Sequence, residues 1–98
     1  MIYTSGVWNA KEGHEDEFAR RWEASVDRFA PDLPGVVFRL LRDVENPSRF
    51  VSVAGPWRNI EQVDGIRNSA QFQESMAASQ EALEGFELST YQLVVEVS

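Results

Sequence analysis

The 98-residue sequence contains no cysteine. Disulfides, thiol nucleophiles and zinc–thiolate centres are therefore excluded. Histidine occurs once, as His14. A metal centre with several His ligands is excluded, as is a Ser-His-Asp triad on any other histidine. Basic residues are scarce, 9 Lys and Arg against 16 Asp and Glu, for a net charge of −7. Such a surface repels a phosphate backbone, and no nucleic-acid partner is expected. No apolar run approaches the ~18 residues of a membrane span. The opening stretch, MIYTSGVWNAKEG, lacks the basic start and apolar block of a signal peptide. A cytoplasmic location, with no membrane contact, is expected.

What is present suits one folded domain, residues 1–98. The hydrophobic fraction is 43% and the aromatic fraction 11%. A chain of this size buries only about 60–65% of its unfolded surface, so association would add stability.

Ile2 to Asn9 reads as a first strand. Phe18, Trp22, Val26 and Phe29 then recur at spacings of four, four and three, one apolar stripe on a helix. Glu15, Asp16 and Glu17 in its first turn complement the helix dipole. His14 precedes them and reads as a solvated residue, with a base at a cavity mouth as the alternative. Pro31 and Pro34 cannot continue the helix, and Gly35 frees the turn. Val36 to Asp43 and Arg49 to Gly55 read as strands joined in a hairpin by Asn46-Pro47. Asn59 with Gln62 resembles a capping box opening a short helix, with Ile60, Val63 and Ile66 inward. Ser69 starts a longer helix whose inner face is Phe72, Met76, Ser79 and Leu83, with Gly85 placed to end it. Leu88 to Val97 is the last strand. The order β-α-β-β-α-β is ferredoxin-like, an α+β fold with a four-stranded antiparallel sheet.

Helices can cover only one face of such a sheet, and a solvated second face would alternate cleanly between apolar and polar residues. Val36-Val37-Phe38, Leu40-Leu41, Phe50-Val51 and Leu93-Val94-Val95 do not alternate. The second face therefore requires a cover, and a second copy of the same sheet would supply it, giving a twofold homodimer.

The stretches KEGHEDEF, PGVVFRLLRD, NPSRFVSVAGPW and RNIEQVDGIRNSAQFQ together resemble the antibiotic biosynthesis monooxygenase (ABM) family of dimeric α+β barrels. Its shared features are a Pro-Gly before the second strand, a third strand ending in Trp, and a Ser-x-x-Phe helix start. Here they are Pro34-Gly35, Trp57, and Ser69 with Phe72. The resemblance implies a pocket between sheet and helices in each subunit. It also implies one of several activities: oxidation of polyketide phenols by O2 without metal or flavin, quinol oxidation, or haem degradation. Haem-degrading members use an Asn on the first strand, a Trp on the short helix and a His on the next helix. Ungapped counting puts Gly6, Ile66 and Met76 at those places, so haem degradation is not expected. No cofactor or metal is expected either. Polyketide-type members place an Asn four residues before the Trp; that position is Val53, with Asn9 or Ser52 as substitutes.

The expectation is a cofactor-independent monooxygenase acting on a quinol or polycyclic aromatic phenol. The alternative is a non-catalytic dimeric barrel that binds a small hydrophobic ligand. Trp57 and Asn9 are the candidate catalytic residues. Trp8, Trp22, Ser52, Phe72, Met76 and Tyr91 are the candidate substrate contacts. Trp22, Phe72 and Met76 lie at helical spacing and read first as ordinary core, with a place in the pocket wall as the alternative. Arg39, interrupting VVFRLL, reads as an edge or cross-dimer residue or as an anion holder.

Overall fold

The computed structural model describes all residues, Met1–Ser98. The elements are β1 (Ile2–Ala10), α1 (Glu15–Phe29), a 3-10 turn (Ala30–Asp32), β2 (Val37–Arg42), β3 (Arg49–Trp57), α2 (Ile60–Arg67), α3 (Ala70–Gln80) and β4 (Leu83–Gln92). The strands form one antiparallel sheet in the order β2-β3-β1-β4. This is the ferredoxin-like α+β arrangement, with its second helical region divided into α2 and α3.

Local chemistry sets most boundaries. Asn59 Oδ1 accepts from the Gln62 N–H at 2.8 Å, and Ser69 Oγ accepts from the Phe72 N–H at 3.1 Å. Each cap satisfies an otherwise orphaned donor at a helix start. In the β2–β3 hairpin, Asp43 Oδ1 accepts from the N–H groups of Glu45 and Asn46 at 2.8 and 3.1 Å. This is the side-chain turn that Asp favours. Gly35 has φ +88°, the left-handed value that glycine adopts without steric cost.

The pairing register sorts the sheet into two faces. Phe50, Ser52 and Ala54 of β3 lie opposite Trp8, Gly6 and Thr4 of β1 and face the helices. Phe18 (fully buried) and Phe29 anchor α1 on this face, with Trp22 and Val26 partly buried between them. Gly6 is required here. A Cβ at that position would lie 2.7 Å from Trp8 Nε1, so the indole lies over the glycine.

Several sequence expectations need correction. β3 does not end at Gly55 but continues to Trp57 through a register shift. Ile2 faces Trp57 and Thr4 faces Ala54, so two steps along β1 match three along β3. The extra residue makes a bulge and reverses side-chain parity. Trp57 thereby returns to the helix side of the sheet. Gly55, at φ +155°, permits this under the Tyr3 ring, where a Cβ would overlap the aromatic carbons.

The second correction concerns the C-terminal region. α3 stops at Gln80, not near Gly85, and β4 runs from Leu83 to Gln92 instead of Leu88 to Val97. Leu83 is therefore a strand residue, paired with Ala10 and buried. The cause is tertiary: β1 offers partners from Ile2 to Ala10, and β4 occupies that whole length. Beyond Gln92 β1 has no residue left to pair, and only the Leu93 N–H reaches the Met1 carbonyl, at 2.8 Å. Finally, Ile60 is exposed rather than inward, while Val63 is buried and Ile66 partly so.

Candidate functional site

The two buried clusters of the core leave a cavity of about 100 Å³ between the sheet and the helices. The sheet supplies Thr4, Trp8, Ser52, Ala54 and Trp57, and the helices supply Trp22, Phe72, Ser75 and Met76 among others. Trp57 is 6% exposed, and its ring meets Phe38 edge-on at 6.0 Å. Trp8 packs against Phe18 and Phe86 at 5.5 and 5.6 Å.

Both sheet tryptophans have a partner for the indole N–H, as buried rings require. Trp57 Nε1 donates to Thr4 Oγ1 at 3.1 Å, and Trp8 Nε1 donates to Ser52 Oγ at 2.9 Å. Each hydroxyl accepts and keeps its own proton to donate. The Thr4 hydroxyl lies 3.5 Å from the Ala54 carbonyl, whereas no acceptor is assigned to the Ser52 proton. Ser75 Oγ is buried and has no hydrogen-bond partner at all. The only charged residue lining the cavity is Arg67; no carboxylate and no imidazole does so.

Six of the eight proposed site residues come together around this cavity: Trp57, Trp8, Trp22, Ser52, Phe72 and Met76. Two do not. Asn9 is exposed and paired with Arg49, one position out of phase with Trp8, so the pleat puts it on the other face. Tyr91 lies opposite Tyr3, also on the other face, and is 54% exposed. Val53, at the family's Asn position, faces away as well, opposite Ser5 and Arg39. Of the two suggested substitutes, only Ser52 lines the cavity. Arg39 shares Val53's face and has no ion-pair partner.

His14 immediately precedes α1 at the surface without capping it, and its Nδ1 lies 2.7 Å from Glu17 Oε2. It does not line the cavity. Hydrogen bonds first from His14 and then from Arg21 hold the Glu17 carboxyl below its ordinary value. The Ser48 hydroxyl does the same for Glu15. These shifts belong to the outer surface of α1 and not to the site.

Thr4, Ser75 and Arg67 are among the cavity residues not singled out from the sequence. Each carried a signal in its spacing. Thr4 shares strand parity with Trp8, Ser75 lies three residues after Phe72, and Arg67 lies four after Val63. Periodicity scores apolar residues, so polar ones sharing their face are less visible in the sequence.

The class is thus a ferredoxin-like α+β protein with an aromatic-walled cavity between its layers. The chain belongs to the antibiotic biosynthesis monooxygenase family, whose model matches residues 1–78. Among solved structures, it resembles an asparagine-to-alanine mutant of SnoaB, a cofactor-independent oxygenase from Streptomyces nogalater. That match has a TM-score of 0.85 at 18% identity, covering 98% of this chain and 95% of the other. An antibiotic biosynthesis monooxygenase matches with TM-score 0.80 at 14% identity, over 97% of this chain and 100% of that one. A conserved protein of Methanosarcina mazei Go1 matches at 0.79 and 18% identity, covering 93% and 90%. At these identities the structural matches establish the fold. No match was found among curated proteins. No helix is long and apolar enough to cross a membrane, and no cluster of three or more His, Asp or Glu side chains is arranged to hold a metal ion.

Proposed function

We propose that the protein is a cofactor-independent monooxygenase that oxidises a quinol or phenol with O2 in the cavity beside Trp57. The observation that carries this reading is the cavity itself, partly open, walled by aromatic rings and edged by a few hydroxyls in a family of monooxygenases. In such a reaction a quinol and O2 give a hydroxyquinone and water. One oxygen atom enters the ring, and the other leaves with the two hydrogens removed. The ring must first become electron-rich by losing a proton. Ser52 and Ser75 supply hydroxyl donors to the resulting oxyanion, which is the kind of stabilisation that usually dominates such catalysis. The apolar walls exclude water from the reactive anion.

Size narrows the substrate. A cavity of about 150 Å³ accommodates benzene, so about 100 Å³ takes a single aromatic ring only with a small outward shift of a wall side chain. A polycyclic phenol requires Phe72 or Met76, both only partly buried, to swing aside. A porphyrin is far larger, and Gly6 under Trp8 leaves no room for a first-strand Asn. Both features speak against haem degradation.

The second reading is a non-catalytic barrel that binds a small hydrophobic ligand. It is favoured by two observations: the Trp57 N–H is already engaged by Thr4, and the family's Asn is replaced by an outward Val53. In either case the functional unit proposed is a homodimer, argued below.

Oxygen uptake separates the two. A panel of hydroquinones, naphthols and anthrones is expected to contain at least one compound whose oxygen consumption rises well above its autoxidation. No carboxylate or imidazole lines the cavity to act as a base. The rate is therefore expected to climb with pH through the substrate's own pKa, without an added inflection near pH 4–7. Uptake at the autoxidation rate for every compound decides for the binding reading.

A further inference from the structure

Arg67 is the last residue of α2, one helical turn beyond the buried Val63. Its guanidinium does not run out into solvent. It folds back across the edge of the cavity onto β4, where Nη1 donates to Thr90 Oγ1 at 2.8 Å and Nη2 donates to the Ser89 carbonyl at 3.2 Å. Two of its five N–H donors are thereby fixed, and three remain. In a chain with 16 acidic residues, four arginines find carboxylate partners: Arg21, Arg28, Arg42 and Arg49. Arg67 finds none, like Arg20, Arg39 and Arg58, but of these it alone lines the cavity, and Asp64 lies three residues back on the same helix, at pairing distance in sequence. A tethered, unneutralised guanidinium is thus the one charge presented to an otherwise apolar cavity.

The same cavity is lined by hydroxyls with capacity to spare. Ser75 Oγ is buried without any partner, and an orphaned buried hydroxyl is costly unless something satisfies it. Ser52, whose oxygen accepts from Trp8, keeps its own proton to donate. Arg67, Ser52 and Ser75 line the same cavity, whose walls are mostly aromatic and aliphatic.

We propose that Arg67 determines ligand specificity, and that the ligand is a hydroxylated aromatic carboxylic acid. The carboxylate sits at the cavity edge on the free N–H groups of Arg67, in the forked geometry that guanidinium and carboxylate share. The ring fills the cavity, and a ring hydroxyl reaches Ser75 or Ser52. The net charge of −7 works against any anion approaching the protein, so a preference for the acid must come from this one local cation. This assignment deepens the oxygenase reading by naming its substrate class, and it holds equally for a ligand that is only bound.

The test is a binding measurement that needs no turnover. Tryptophan fluorescence is titrated anaerobically at pH 7 with 2,5-dihydroxybenzoate and with hydroquinone, which differ only in the carboxylate. The wild type is expected to bind the acid about tenfold more tightly, the scale of one charge-assisted hydrogen-bonded contact. Arg67→Met should abolish that preference, and Arg67→Lys should restore part of it. Thr90→Val loosens the tether but keeps the charge, so it should retain the preference whatever it does to the melting temperature. Ser75→Ala should weaken both ligands alike. Equal affinities in the wild type, a preference that survives Arg67→Met, or no binding of either compound at millimolar concentration would each overturn the assignment. The first two outcomes leave the oxygenase reading untouched, and oxygen uptake with neutral phenols decides that reading separately.

Discussion

Trp57 occupies the corner after a Gly-Pro pair, and its surroundings explain what it is for. The ring closes one side of the cavity, and its N–H is spent on Thr4. A donor so engaged acts on a ligand through its neighbour, as a wall and a spacer. Trp57→Phe and Thr4→Val are each expected to lower stability by about 1 kcal/mol for the lost hydrogen bond, plus a packing cost for the smaller Phe ring. Together they should cost less than the sum, because both remove one interaction. Urea titration of the two single variants and the double variant measures this. In an active preparation, Trp57→Phe should slow turnover by less than about tenfold. A loss of 10²–10³ at unchanged stability would instead mark Trp57 as a direct donor to the substrate anion.

At the scale of elements, turns and caps do more than connect. The β2–β3 hairpin is organised around Asp43, whose carboxyl is held below its ordinary value first by the N–H of Glu45, then by that of Asn46, with Arg49 adding to it. A depressed carboxyl contributes stability above its unfolded value and loses it as pH falls through the folded one. The window here lies below about pH 4. Asp43→Asn keeps an oxygen for the turn but removes the charge. The variant is expected to melt below the wild type at pH 7, and the gap should narrow as pH falls below about 4. Melting temperatures across that range test it; a gap independent of pH would mean that the turn geometry, and not the charge, matters. The C-terminal segment 93–98 is the converse case. It has strand composition, yet Val94, Val95 and Val97 are 86%, 72% and 89% exposed because nothing within the chain is left to pair with them.

The whole molecule is unbalanced. Helices cover one face of the sheet, while the other exposes Val37 by 46%, Leu41 by 54% and Tyr91 by 54%, with Val7, Val51 and Val53 among them. A patch of this character calls for a cover, and a second copy of the same sheet meets it with like chemistry. Sedimentation at micromolar concentration is expected to give about twice the 11.1 kDa chain mass. Leu41→Glu, which puts a charge into the patch without disturbing the helix side, should shift the species toward monomer. A monomeric wild type would refute the barrel.

The sequence by itself determined the element order, the caps at Asn59 and Ser69, the hairpin at Asn46-Pro47 and the two-sided apolar sheet. These rest on interactions within a few residues or on periodicity, which a linear chain displays directly. It also marked six of the cavity's residues: Trp22, Phe72 and Met76 by helical spacing, and Trp8, Ser52 and Trp57 by strand position and family resemblance. Tertiary structure alone decided where β4 begins, since pairing with β1 overrode the helical pattern through Leu83. It alone turned Trp57 inward, since one bulge opposite Ile2 and Thr4 reversed the pleat. It also sent Asn9 and Tyr91 to the far face and brought Arg67 over the cavity. Those outcomes depend on register, and register is a property of two strands together: a shift of one residue moves every side chain to the opposite face.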